Sequence, residues 1–291
     1  MEWSPEKSAP KQITDGGIYL PPGAIQSNDG SVKVLMNVIG PSGVGKSWLV
    51  NQMRSDPEYG PSEVMVLTNE QATASYGVPL PIQVPVTSLL SIYGVLEDMV
   101  RAAEQGKRLP KITFVDSLTG ATDYTQAEFN KNPNMVYQKE SQSWARDKRS
   151  EYGDLGAGGR DIYLLLRRVP TDVVVLMTSH EGAFSPIPEI ACEGKLIPKN
   201  VSRWSSATLY MKAEEVKVDA EDVKASIVKD GVPAHRTIGR DAHGEPTGLV
   251  INRYFITQNT GEIVAKGHVS LGLRERAILP DVIRKIRNYK A

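Results

Sequence analysis

Residues Gly40-Pro41-Ser42-Gly43-Val44-Gly45-Lys46-Ser47 spell G-x-x-x-x-G-K-[ST], directly after an apolar run from Val32 to Ile39. This one pattern constrains the fold more than any other feature. A buried strand must end at a glycine-rich turn, and a helix must begin on its far side. Glycines let successive backbone N–H groups curl round an anion with no Cβ in the way. The helix expected from Lys46 to about Arg54 adds the positive end of its dipole. The pattern is the Walker A phosphate loop. Gly40, Pro41, Ser42, Gly43, Val44, Gly45, Lys46, Ser47 and Trp48 are therefore candidate ATP-contacting residues. Lys46 is expected to reach the β- and γ-phosphates, and the Ser47 hydroxyl to hold Mg²⁺.

Such a loop needs a sheet to present it, and the following sequence alternates strand and helix patterns. Glu63–Thr68 reads as a second strand and Ile82–Val86 as a short one. Ser88 to about Gln105 has helical periodicity, with Leu89, Leu90, Tyr93, Leu96 and Met99 on one side and Gly106 as its stop. Ile112–Val115 reads as a buried strand, and a long polar, helical section is expected from about Thr125 to Arg168. Asp172–Thr178 is the most apolar strand. Near-continuous apolar strands alternating with helices predict an α/β fold, a mainly parallel sheet covered on both faces. After residue 200, Ala207–Met211, Leu249–Thr257 and Ile263–Ala265 have little helix between them, so an antiparallel C-terminal extension is expected. Residues 1–31 read as an N-terminal arm and 32–291 as the main domain. Residues 214–248 are charged and loop-like, a surface hairpin or insertion, and about 280–289 is a closing helix.

Composition narrows the function. Hydrophobic residues make 40% of the 291 and charged residues 23%, the balance of an ordinary globular chain. The formal net charge is +0, so any nucleic-acid surface must be local. The single cysteine, Cys192, excludes a disulfide framework and a cysteine-rich zinc site. The segment MEWSPEKSAPKQ has no apolar core of the signal-peptide kind, and the longest apolar run, Val173 to Met177, is too short for a bilayer. A cytoplasmic setting with no membrane partner is expected.

The catalytic candidates stand at strand ends. Asp116 closes the run Ile112-Thr113-Phe114-Val115, a Walker B arrangement whose carboxylate orients water on the Mg²⁺ held by Ser47. Hydrolysis also needs a base for the attacking water. Ser117, and no glutamate, follows Asp116, so the base must come from elsewhere. Glu70 ends Val66-Leu67-Thr68-Asn69-Glu70 and would face the same crevice, since ligands sit at the carboxyl ends of open α/β sheets. His180, with Ser179 in reserve, ends the most apolar strand and is the candidate γ-phosphate sensor. His235, His243 and His268 lack ligand spacing.

Together, Walker A, Thr68-Asn69-Glu70, Phe114-Val115-Asp116-Ser117-Leu118-Thr119 and Leu176-Met177-Thr178-Ser179-His180 resemble the RecA-like recombinase ATPases. The pattern is most similar to the small, AAA-type RecA-like ATPases of bacteriophages, which include single-strand annealing and recombination proteins. Arg149-Ser150-Glu151-Tyr152-Gly153 before a helix fits that group, and the likeness covers about residues 32–213, more loosely Ala265-Lys266-Gly267-His268. It implies a RecA-like core, ATP and Mg²⁺ as ligands, Glu70 as the water-activating residue, and a phage protein at work in a host cytoplasm. It also implies a homo-oligomeric ring or filament with ATP near the subunit interface. Lys212, Arg253 and Lys266 are then candidates for donation from a neighbour. Family DNA-binding loops map to Thr119–Gly159, with Lys139, Trp144, Arg146, Lys148 and Arg149, and to Glu181–Ser205, with Lys195, Lys199, Arg203 and Trp204. Basic residues with an aromatic suit single-stranded DNA. Two departures stand out: the chain lacks the long extra domains of the recombinases, and it is neutral. A motor, loader or ATP-gated switch acting on duplex DNA or a protein is the alternative. A P-loop kinase is disfavoured, because no arginine-rich lid segment is evident.

Overall fold

Apolar runs become central strands here because a parallel strand buries both of its faces. The computed structural model describes residues 12–13, 19–20, 33–69, 82–181, 188–193, 196–258 and 265–289. The chain divides into two units, Met1–Val32 and Lys33–Ala291. In the first, β1 (Gln12–Ile13) pairs antiparallel with β2 (Tyr19–Leu20).

The second unit runs β3 (Leu35–Gly40), α1 (Trp48–Ser55), β4 (Val64–Thr68), β5 (Ile82–Pro85), α2 (Leu89–Glu104), β6 (Ile112–Asp116) and α3 (Leu118–Lys131). Then come β7 (Met135–Gln138), β8 (Ser143–Arg146), α4 (Lys148–Arg168), β9 (Asp172–Glu181), β10 (Pro188–Ile190), α5 (Leu196–Trp204) and β11 (Ala207–Lys217). Last are α6 (Ala220–Asp230), β12 (Arg236–Arg240), β13 (Pro246–Ile256), β14 (Arg274–Arg276) and α7 (Leu279–Arg287). Among the described residues the main sheet has the order β12-β13-β11-β3-β9-β6-β4-β5, with β10 on β9 and β14 on β13. From β5 to β11 every pairing along that order is parallel. β13 joins β11 antiparallel, and β12 and β14 follow it. The fold is a mainly parallel α/β sheet flanked by helices with an antiparallel C-terminal extension.

Strand alternation divides the core in two. Leu35, Ile39, Leu67, Val115, Val173, Val175 and Met177 pack on one face with residues of α2, α4 and α5. Met36, Val38, Val66, Phe114, Val174 and Leu176 pack on the other with α1 and α7. Ser88 starts α2 with a reciprocal capping box to Ser91. Gly106, at φ 72°, follows the last turn.

Four expectations change. Leu90 is 77% exposed, and Ile92 and Val100 take its place in the α2 stripe. The polar section before Arg168 is two helices split by the β7–β8 hairpin, where the run Asn132-Pro133-Asn134 stops α3. Residues 196–204, within the second expected DNA loop, are helical. Residues 214–248 contain the end of β11, the helix α6, β12 and the start of β13, so they are not loop-like throughout. In the expected strand Ile263–Ala265, residues 263–264 lie outside the described residues. Lys266 bridges antiparallel to Thr208.

Register delivers the site. Gly40 pairs with Thr178, Asp116 with Leu176, and Thr68 with Asp116. The phosphate loop, the β9 end, Asp116 and the β4 end therefore share one carboxyl edge.

Candidate nucleotide-binding site

Gly40 ends β3, and Trp48 opens α1 with Ser47 as its cap residue. The intervening turn uses left-handed backbone at Gly43 (φ 76°) and Gly45 (φ 101°), which side-chain-bearing residues adopt with strain. Trp48, Leu49 and Val50 donate N–H groups to Gly45, Lys46 and Ser47 carbonyls at 3.1, 3.0 and 3.2 Å, a tight first turn. The Trp48 indole stands 46% exposed beside the loop.

Lys46 folds back over this turn, its Nζ donating to the Gly40 and Pro41 carbonyls at 2.8 and 2.9 Å. The ammonium thus lies against the first two residues of the turn, Gly40 and Pro41. Ser47 Oγ donates to Asp116 Oδ2 at 2.9 Å, and Asp116 is 3% exposed. A hydroxyl and a carboxylate meeting at the loop are hard oxygen donors of the kind Mg²⁺ takes, with phosphate oxygens and water completing its shell. The residues present fit both ATP and Mg²⁺. Among the described residues no group of three His, Cys, Asp or Glu forms a self-sufficient metal cluster.

The ends of β6, β4 and β9 are tied together. Asn69 Nδ2 donates to the Ser117 carbonyl at 2.7 Å, and Ser117 N donates to Asn69 Oδ1 at 3.1 Å. Asn69 N also donates to the Asp116 carbonyl at 3.1 Å. The Asp116–Ser117 peptide is cis. Ser117 Oγ caps α3 by accepting from Gly120 N at 3.1 Å. Thr178 N donates to Thr119 Oγ1 at 3.0 Å, which fixes the β9 end to α3.

Glu70 lies outside the described residues; Asn69, directly before it, is held against Ser117 as above. His180 lies on β9 opposite Glu189, two positions beyond the Gly40 partner Thr178, and its side chain is outside the described residues. Ser179 Oγ donates to the Tyr210 hydroxyl at 3.3 Å. Burial pushes the Cys192 thiol up to about 12, so it is a protonated packing group at neutral pH.

Of the three basic candidates, Lys266 donates to the Ser205 carbonyl of its own chain at 2.8 Å. Lys212 stands opposite Tyr254 on the β11–β13 ladder. Arg253 reaches its own phosphate loop, donating from Nε to the Val44 carbonyl at 2.7 Å. The ties made by Asn69 and Thr119 and the intramolecular contact of Arg253 were not read from the sequence. Asn69 and Thr119 stood inside quoted motifs, which gave the only signal.

No helix among the described residues is long and apolar enough to cross a membrane. No curated protein matches this chain. The family model described as "AAA domain" matches residues 33–269, from the residues before β3 to the bridge beside Thr208. Phosphate loop, Ser47–Asp116 pair and sheet all lie within that match, and the chain belongs to this family of AAA-domain P-loop ATPases.

Proposed function

We propose that this AAA-domain protein is a RecA-like ATPase of phage type that hydrolyses Mg-ATP while acting on single-stranded DNA in recombination, repair or replication. Lys46 and the loop N–H groups bind the phosphates. Ser47, and Asp116 through water, would hold Mg²⁺, which when bound would supply positive charge against that of the phosphates. Glu70, next in sequence to Asn69, accepts a proton from the attacking water. His180 senses the γ-phosphate. Protomers associate as a ring or filament with ATP near their interface.

The observation that carries the DNA reading is the β7–β8 hairpin. Tyr137 and Trp144 lie across it at 5.5 Å between centroids, edge to face. They are 51% and 65% exposed, beside exposed Met135 and Val136. Aromatics held in water on a rigid ribbon offer stacking surfaces for unpaired bases. The ribbon follows α3, whose buried residues, Leu118, Thr119, Ala121 and Thr122, all lie in its first turns after Asp116. Lys139, Lys148 and Arg149 supply local charge. Arg146 does not, because its Nε donates to both Glu151 carboxylate oxygens at 2.9 and 2.7 Å. That ion pair anchors the hairpin, and Arg146 hydrogen bonds hold the Glu151 carboxyl below its usual range. The neutral net charge favours the second reading, a motor or switch on a protein partner.

Steady-state ATP hydrolysis at low salt, alone and with single-stranded or duplex DNA, tests the proposal. Single strands should stimulate turnover, and Trp144→Ala should remove the stimulation while leaving basal turnover. Duplex stimulation, or none, moves the reading to a motor or a protein-directed switch. Glu70→Gln should keep ATP binding and lower kcat at least about 10²-fold.

A further inference from the structure

We propose that Arg253 is a positioning residue of the nucleotide site and acts in cis, clamping the outer face of its own phosphate loop. The inference rests on the ATP site described above.

In a phosphate-binding nest successive N–H groups turn toward the anion, and a carbonyl bonded from behind steadies the turn that aims them. Val44 is the residue before Gly45-Lys46-Ser47, and its carbonyl accepts from Arg253 Nε at 2.7 Å. Arg253 Nη1 donates to Thr237 Oγ1 on β12 at 2.6 Å, so the guanidinium is fixed from both sides. A Cβ built on Gly45 would meet Arg253 Nε at 2.7 Å and Cδ at 3.2 Å. The arginine therefore fills the space a side chain at Gly45 would need, and it backs the left-handed turn that aims the next N–H groups.

Its own backbone is held equally firmly. Arg253 N donates to the His235 carbonyl at 2.8 Å, and its carbonyl accepts from Ala277 N at 3.1 Å. Its cross-strand partner on β11 is Ala213, small enough to let the stem pass over toward β3. Burial lowers the affinity of the guanidinium for its proton. Guanidinium remains charged at neutral pH, so a fixed cation stands behind a loop built for polyphosphate. The antiparallel extension has thereby a role in the site: it carries the residue that preorganises it.

Nucleotide affinity and steady-state kinetics test this. A lost hydrogen bond from a charged donor corresponds to roughly ten- to a hundredfold in affinity. Arg253→Ala should weaken ADP and ATP binding by that factor, raising KM with kcat within about threefold. Arg253→Lys keeps charge but reaches one acceptor, and Thr237→Val removes the second anchor; both should fall between Arg253→Ala and the wild type. A folded Arg253→Ala protein binding nucleotide within twofold of wild type overturns the inference alone. Should Arg253→Ala not fold, Arg253→Lys and Thr237→Val both within twofold overturn it. A wild-type protein that binds no nucleotide overturns the site and the inference together. Mixing Lys46→Ala with Arg253→Ala subunits separates cis from trans. Read at ATP well below the raised KM, no recovery of turnover is expected, and a return toward the wild-type KM would mean that the arginine serves a neighbour.

Discussion

Asn69 has no reactive group, yet it sets the distance between two strand ends. Its amide spends both functions on the Ser117 backbone, and its atoms stand 2.7–2.9 Å from where a Gly120 Cβ would be. We expect Asn69→Ala to lower kcat by roughly tenfold, the size of a lost well-placed hydrogen bond, with nucleotide Kd nearly unchanged. Single-turnover kinetics beside a binding titration checks this; an equal loss in Kd would make Asn69 part of the binding surface. The phosphate loop was legible in the sequence because its geometry is encoded within eight consecutive residues, Gly40 to Ser47. Asn69–Ser117 and Arg253–Val44 join residues 48 and 209 positions apart, and no local pattern encodes such a pairing. The Asp116 position was readable for an intermediate reason: an apolar run ending in Asp is local, while its contact with Ser47 required the sheet.

Elements were legible in proportion to how much they bury. β3, β4, β6 and β9 announced themselves as apolar runs because both faces are covered. The β7–β8 hairpin has every β7 residue exposed and carries no burial signal. In α6, Val223 is buried while Val228 is 88% exposed, so its stripe was too thin to read. The α4–α5 contact was hidden for another reason: residues 196–204 were expected within a DNA-binding loop and are helical. Gly156 and Gly159 let α5 approach: a Cβ at Gly156 would meet Leu196 Cβ at 2.9 Å, and one at Gly159 would meet the Ile197 side chain. Gly153, on the same helix, has open space around it. Gly159→Val should therefore destabilise the protein by about 1–3 kcal/mol through overpacking. Gly153→Ala should stabilise it by up to about 1 kcal/mol through helix propensity. Urea denaturation of both variants checks the pair, and equal effects would contradict the packing.

At the scale of the whole domain, chemistry and cohesion occupy opposite edges of one sheet. The amino edge is closed by charge: Lys33 donates to the Leu166 and Val169 carbonyls at the end of α4, and Arg287 of α7 pairs with buried Asp172. Burial lowers Lys33 to about 8, against the opposing pull of Asp172. An unfolded lysine titrates near 10.4, so between about 8 and 10.4 the unfolded chain holds more protons and stability rises with pH. Lys33→Met should lose that rise, seen as a stability difference from wild type that grows across this window. A constant difference would contradict it. The carboxyl edge carries the central claim, that the Gly40–Ser47 loop and Asp116 form one Mg-ATP hydrolysing site. Steady-state ATP hydrolysis by wild type, Lys46→Ala and Asp116→Asn in Mg²⁺ tests it most directly. Mg-dependent turnover that falls roughly a hundredfold or more in both variants is the predicted result. Turnover undiminished in either variant would contradict the site.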